Sequence, residues 1–438
     1  MARMRQWHYI KLVFCLVYWL MHWVLFALVG VIVLLGIAIW SIKRHKDPHL
    51  QIETDEPVDQ LMPSLSGLTL GTAIRGNAVE IFQNGSFFDA LIGDINAARH
   101  TVHFETFLWK EGMIGQRMAD VFSRKATEGL AVRLVLDDTG CKKMGKAAIE
   151  QMRNAGCQLA FYHPRKLKHI GVIAERDHRK LAILDGHIGW VGGHCVVDEW
   201  LGDAQDRHHV SDLSVRLRGP VVHALQSAFS ENWVEVTGKL FAGRHVFPPL
   251  EPQGDVEAHV ASMKPEGSAP AVKILHHMVI CCARKRLWIQ NPYFIPEPDA
   301  ITAFAQAVER GVDVRVMVPS ASVSDMPLVQ HAAHRNFQRL LDGGVRIFEY
   351  QRTLLHQKVM VVDDEWCAVG SSNFDDRSFE TNDEITVGFK DRDLVKQLEE
   401  VFRKDLELCS ELTAAGWKKR GALHRAKDSV LYLFNEVL

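Results

Sequence analysis

Two short stretches of this chain set an imidazole and an ammonium two residues apart, with an acid five residues further on. They are DHRKLAILDG, Asp177–Gly186, carrying His178, Lys180 and Asp185, and LHQKVMVVDD, Leu355–Asp364, carrying His356, Lys358 and Asp363. In an extended strand residues i and i+2 face the same way, so each His shares a face with its Lys. Such a pair suits a phosphate. The ammonium holds anionic oxygens as a point charge. The imidazole titrates near neutrality, so it can attack phosphorus or move a proton. Each Asp closes a run that reads as buried strand, where a structural role fits it better than direct chemistry. Small residues follow both segments, Val191-Gly192-Gly193 and Val369-Gly370-Ser371-Ser372-Asn373. These let backbone N–H groups come close to a phosphate.

The elements that must position these residues also occur twice. KATEGLAVRLVLDD (Lys125–Asp138) matches AVERGVDVRVMVPS (Ala307–Ser320): a helix end, a Gly, then a β-branched strand. Apolar stretches precede both, Thr101–Trp109 and Arg286–Phe294, and a second Gly-led strand follows both, Ala155–Pro164 and Gly343–Tyr350. From Gly129 to His178 is 49 residues and from Gly311 to His356 is 45. Strands alternating with helices imply an α/β fold with a largely parallel or mixed sheet. Two such units are expected to pack as one pseudo-two-fold body. The first has an added basic segment, His163–Arg176, with Arg165, Lys166, Lys168 and Arg176 against Glu175. It reads either as a solvated loop or as a rim for anionic headgroups.

No Lys, Arg, Asp or Glu occurs from Leu12 to Ile42, a run of 31 residues where a membrane helix needs about 20. Trp19, Trp23 and Trp40 stand as interfacial anchors. The run is too long for a signal peptide, and no small-x-small site follows it. Its flanking Lys and Arg are balanced, so orientation stays open. Over the whole chain 51 Lys and Arg offset 53 Asp and Glu, which weakens any reading as a general nucleic-acid binder. The eight Cys form no C-x-x-C pair, against a zinc or redox motif.

On these residues the chain resembles the phospholipase D superfamily, with its paired His-x-Lys-x4-Asp motifs. GSSNFDDRSFETNDE (Gly370–Glu384) is similar to that family's second motif almost throughout. DHRKLAILDG with VGGHCVVDEW (Val191–Trp200) and VRLRGPVV (Val215–Val222) is similar to the bacterial cardiolipin synthases within it, as is the N-terminal anchor. The resemblance implies chemistry without a metal or cofactor. One His attacks the phosphodiester to form a phosphohistidine, and the other protonates the leaving alcohol and then activates the second. His178 is read as nucleophile and His356 as acid/base, with Asp185 and Asp363 completing the motifs. Lys180, Lys358 and Asn373 hold phosphate oxygens, beside Ser371. Each His needs an orienting carboxylate. The family implies Glu384, and aligning DLSV (Asp212–Val215) with EITV (Glu384–Val387) nominates Asp212. One departure stands out: Cys195 occupies the place of the family's Asn in GGxN, leaving His194 or the backbone as substitutes.

The resulting division is an anchor over 1–46 with a span at about 19–40, a linker over 47–76 and a first phospholipase D-like domain over 77–246. A connection over 247–271, a second such domain over 272–408 and an amphipathic tail over 409–438 follow. The tail reads either as an interfacial helix or as a helix packed on the body. Met326, Leu328 and Val329 read as core in preference to a lipid-tail groove. The expected reaction moves a phosphatidyl group from one phosphatidylglycerol to another, releasing glycerol, at a bacterial inner membrane. The alternatives are hydrolysis to phosphatidic acid, a superfamily nuclease, and a non-catalytic lipid-binding scaffold. Membrane phospholipids are the expected partners, and nucleic acid is not.

Overall fold

The computed structural model describes residues 16–34, 50, 52, 54, 56–163, 175–264 and 270–432. The added basic segment falls almost wholly outside them. The chain divides into two units, Met1–Gln51 and Ile52–Leu438. In the first, α1 (Leu16–Leu34) is 19 residues of apolar helix, enough to cross a bilayer, and none of it is buried. It begins three residues before the expected span, whose last part lies outside the described residues.

The second unit opens with α2 (Met62–Leu68) and then runs the same series twice. The first series is β1 (Ala73–Gln83), α3 (Ser86–Ala97), β2 (Thr101–Thr106), α4 (Met113–Thr127), β3 (Ala131–Asp137) and α5 (Lys146–Asn154). It continues with β4 (Gln158–Tyr162), β5 (Leu181–Leu184), β6 (Ile188–Gly192), β7 (Leu213–Arg218) and α6 (Val222–Thr237). The second is β8 (Val256–Met263), α7 (Ala271–Cys282), β9 (Arg286–Gln290), α8 (Pro298–Glu309), β10 (Asp313–Pro319) and α9 (Pro327–Asp342). It ends with β11 (Arg346–Tyr350), β12 (Val359–Val362), β13 (Trp366–Gly370), β14 (Glu384–Lys390) and α10 (Arg392–Leu406). Outside the repeat lie β15 (Cys409–Leu412), α11 (Ala414–Lys418) and α12 (Ala422–Tyr432).

The fifteen strands of the described residues form one mixed sheet, β15-β11-β10-β9-β12-β13-β14-β8-β1-β7-β6-β5-β2-β3-β4. Within each half three strands are parallel and the rest antiparallel, and the halves join where β1 pairs with β8. The order reads the same outward from that junction, apart from β15 at one edge, so the expected pseudo-two-fold body is present. Gly129 and Gly311 follow α4 and α8 with φ of 93° and 90°. That left-handed turn is what the repeated Gly supplies at no steric cost. One apolar core fills the helical side of each half. A third unites sheet residues of both halves with α6 and α10.

The segments between the motifs are more structured than their composition suggests. The expected linker contains α2, and its Val58, Leu61, Met62 and Leu65 are buried in the core of the second half. The expected connection contains β8, the counterpart of β1, so the second repeat begins near Val256 and not near residue 272. The expected tail begins with β15, which pairs with β11. Its α12 packs on the body, with buried Asp428 accepting from Arg420 at 2.6 Å and lying 2.9 Å from His331.

Candidate active site

Each His-x-Lys segment enters its half at the C-terminal end of a parallel strand. β5 runs antiparallel to β2 with Leu181 opposite Glu105, and β12 to β9 with Val359 opposite Gln290. Lys180 and Lys358 immediately precede those positions. The two segments are clasped by the opposite halves. The His178 N–H donates to the Asp383 carbonyl at 3.0 Å, and the Asp383 N–H to the Arg176 carbonyl at 2.8 Å. In the mirror arrangement His356 N–H donates to the Ser211 carbonyl at 2.7 Å, and Ser211 N–H to the Leu354 carbonyl at 2.9 Å.

The carboxylates cross in the same way. His178 Nδ1 lies 2.8 Å from Glu384 Oε1, and His356 Nδ1 lies 2.7 Å from Asp212 Oδ2. An ionised carboxylate only accepts, so both rings carry Nδ1–H and present Nε2 to the site. Each imidazole is therefore oriented by the half that does not carry it. Glu384 also accepts from the Ser378 hydroxyl at 2.7 Å and from the Ser371 hydroxyl, which gives Ser371 an orienting role. Asp212 accepts instead from Trp200 Nε1–H at 2.7 Å and from the Leu213 N–H at 2.8 Å. A Cβ on Gly193 would overlap the Asp212 carboxylate, so the residue opposite Ser371 is held to Gly. The rings are flanked by aromatics, Phe107 edge-on to His178 at 5.0 Å and Trp200 edge-on to His356 at 5.2 Å.

Both lysines turn back over their histidines. Lys180 Nζ donates to the His178 carbonyl at 2.5 Å. Lys358 Nζ reaches the His356 carbonyl at 2.7 Å and its Nε2 at 2.9 Å. Burial and then Lys180 and Lys358 disfavour a charged His178, outweighing Glu384, and bring its pKa to about 4. Burial, followed by Lys358, also lowers His356. Lys358 falls to about 7, through burial and against Asp212. The carboxylates stay ionised. Burial opposes this, but His178 brings Glu384 to about 2, and His356 likewise lowers Asp212. At neutral pH the site thus holds a neutral His178 against an ionised Glu384.

Asp185 and Asp363 sit at the far ends of β5 and β12, away from this chemistry. Asp185 accepts from the N–H groups of Arg99, His100 and Thr101 at 2.7–2.8 Å. Asp363 does the same for Arg284, Lys285 and Arg286 at 2.6–3.1 Å. Both adopt positive φ, 52° and 51°. Grouped with the catalytic residues by their motif, they act as staples that tie the turn to the start of β2 or β9.

Asn373 and Cys195 occupy matching buried positions after β13 and β6. Burial raises the Cys195 thiol, against the nearby Lys180, and its Sγ lies 3.7 Å from the Gly193 carbonyl. His194 does not replace the missing amide. Its ring stacks on Phe87 at 4.2 Å and bonds Ser214 Oγ at 2.8 Å and the Asn84 carbonyl at 2.9 Å. Ser372 makes the equivalent contact with Thr386 at 3.0 Å. The residue before Asn or Cys thus faces away from the site.

A buried charged cluster beneath His178 escaped the sequence reading. Arg179 donates to the carbonyls of Ala228 and Met263 at 3.0 and 2.9 Å and to Glu231 at 3.0 Å. Glu105 and Asp177 lie in the same buried cluster. Burial raises both, Glu105 to about 7 and Asp177 well above its usual range. Beneath His356 the same places hold neutral Gln357 and Gln290, both donating to Asp405. In the sequence the difference shows as Arg179 against Gln357, Asp177 against Leu355 and Glu105 against Gln290.

A family model described as "Cardiolipin synthase, PLD-like domain" matches residues 91–201 and again 278–406, once in each half. The chain belongs to this family. A cardiolipin synthase of Staphylococcus aureus is 33% identical over 366 residues, covering 83% of this chain and 74% of that protein. Cardiolipin synthase 2 of Bacillus cereus is 32% identical over 354 residues, covering 80% of this chain and 68% of that one. Among solved structures the fold is similar to the phosphatidylserine synthase of Haemophilus influenzae, with a TM-score of 0.67 at 13% identity over 87% of this chain and all of that one. The duplication is what brings two His-Lys pairs to one site.

Proposed function

We propose that this phospholipase D-type phosphatidyltransferase makes cardiolipin from two molecules of phosphatidylglycerol. The crossed histidine–carboxylate pairs carry the reading, because they supply two oriented imidazoles to one phosphate. In the first step His178 Nε2 attacks phosphorus, and the bond to glycerol breaks. His356, which enters this step as the imidazolium with Nδ1–H on Asp212, gives its Nε2 proton to the departing glycerol oxygen. Lys180, Lys358 and the Asn373 amide hold the phosphoryl oxygens while charge develops on them. In the second step His356 takes the proton from a free hydroxyl of another phosphatidylglycerol. That oxygen attacks phosphorus, the bond to His178 breaks, and cardiolipin leaves.

His178 is assigned as the nucleophile in this scheme: Glu384 fixes its Nδ1–H, which leaves the Nε2 lone pair turned toward phosphorus. The N-terminal helix is read as a single-pass anchor in a bacterial inner membrane, which keeps the enzyme with its phospholipid partners. Purified protein incubated with phosphatidylglycerol vesicles in EDTA, with lipids read by mass spectrometry, tests the proposal. Cardiolipin and glycerol in equal amounts from the wild type, and neither from His178→Ala, are expected. Phosphatidic acid in their place would make the enzyme a hydrolase.

A further inference from the structure

The expectation that Met326 and Leu328 are core is not met. Val329 is buried, but Met326 and Leu328 are 41% and 48% exposed. Their position is at the rim of the site. β10 lies parallel to β9 and leaves the sheet at the end where Lys358 enters β12. The loop over 320–326 begins there. Its Asp325 accepts from the Tyr293 hydroxyl at 2.7 Å, and the Tyr293 carbonyl accepts from Phe374 N–H at 3.1 Å, next to Asn373. The corresponding loop of the first half follows β3. Asp137, at its start, accepts from the N–H of Asp177 at 3.2 Å, next to His178. This loop exposes Lys142, Lys143 and Lys146. The Lys143 carbonyl accepts from Glu111 N–H at 2.6 Å, and two residues on Met113 is 63% exposed.

The two rims border one site, since each half orients the other's histidine. They combine apolar side chains with three solvent-facing ammonium groups, against Glu111, an Asp198 whose carboxylate is taken up by the N–H groups of Met113 and Ile114, a Glu199 paired with Lys110 and an Asp325 held by Tyr293. That is the composition of a surface seated at an anionic bilayer, with apolar groups below the headgroups and lysines among the phosphates. Unbranched methionines suit so irregular an environment.

We propose that this rim is a membrane-docking surface: Met113, Met326 and Leu328 enter the acyl layer of an anionic phospholipid bilayer, and Lys142, Lys143 and Lys146 engage its headgroup phosphates. The inference rests on the reading of the site as one that takes bilayer phospholipids. Docked in this way, the protein would receive both lipids from the membrane without either leaving it.

The test uses the full chain reconstituted in vesicles of phosphatidylglycerol and phosphatidylcholine. A fluorescent amino acid replaces Leu328, Met113 or, for reference, His187, which is exposed in the turn at the opposite end of β5. Lipids brominated on their acyl chains should quench the probe at 328 and 113 and leave that at 187 unquenched. Lys142→Glu, Lys143→Glu and Lys146→Glu together should cause loss of quenching at 113. No quenching at 328, equal quenching at 187, or indifference to the lysine changes would overturn the proposal. Cardiolipin is assayed in the same vesicles. Product without quenching sinks the docking surface alone, whereas quenching without product leaves it standing and sinks the catalytic reading.

Discussion

Asp212→Asn is the change that most sharply tests the crossed pairing. The Asp212 carboxylate accepts hydrogen bonds from His356 Nδ1, Trp200 Nε1 and Leu213 N at 2.7–2.8 Å. Asparagine keeps the shape but has one acceptor oxygen and an NH2. Whichever way it turns, a donor faces a donor and the anion is gone. Breaking one side of a buried pair costs about 3–5 kcal/mol. If about 3 kcal/mol of that is felt in the transition state, turnover falls roughly 10²-fold. The assay compares phosphatidylglycerol with a phosphatidyl ester of p-nitrophenol, whose departure needs no proton. Acting through His356, Asp212→Asn should be largely rescued by the nitrophenyl ester, as His356→Ala should be, with a burst of nitrophenol. His178→Ala and Glu384→Gln should not be rescued. Asp212→Asn should add little to His356→Ala and multiply with Glu384→Gln. The reasoning would be refuted if Asp212→Asn instead resembled His178→Ala, the histidine of its own half.

Other consequences are open to simpler assays. Trp200→Phe keeps a ring against His356 but removes the hydrogen bond to Asp212, so kcat should fall about tenfold, in line with a charge-assisted bond of 1.5–3 kcal/mol partly replaced by water; an unchanged kcat would show the indole is only packing. Lys358, near pKa 7, loses its charge as pH rises, so kcat/KM should decline above about pH 7, and Lys358→Arg should move that limb upward. Asp185→Ala strands three backbone N–H groups and should lower unfolding stability by about 2–4 kcal/mol while folded enzyme keeps turning over; loss of activity at full stability would contradict the structural role. His178 is depressed from 6.5 to about 4, so the unfolded chain takes its proton first. Stability from this group is whole above pH 6.5 and drains at about 1.4 kcal/mol per unit as pH falls toward 4, a slope in urea midpoints that His178→Ala should remove.

Much of the site was legible because chemistry forced the same residues twice. His178, Lys180, His356 and Lys358 were found by repetition, and Asp212 by alignment with Glu384. What the alignment could not carry was the crossing of those carboxylates, since it compares halves and says nothing of how they face one another. The strand β8 was missed because Val256–Met263 lies in a stretch rich in Pro, Gly and acids, and its partners, β1 and β14, are remote in sequence. Helix α2 was missed because it is only seven residues long, shows no periodicity, and is held by burial of Met62 and Leu65. The Arg179 cluster draws Glu105, Asp177, Glu231 and Asp383 from separate elements, a meeting that only the tertiary fold creates. Exposure of Met326 and Leu328 beside buried Val329 is equally a matter of how α9 docks, which three apolar letters in a row do not disclose.

Turnover hinges on a covalent bond between His178 and phosphorus. His356→Ala protein mixed briefly with the nitrophenyl ester, denatured and digested at alkaline pH, would be mapped by mass spectrometry for a phosphatidyl adduct. The adduct is expected on the peptide that contains His178, and is expected to be absent from the His178→Ala protein. An adduct on His356 in the wild type, or turnover with no adduct on either histidine, would contradict this assignment.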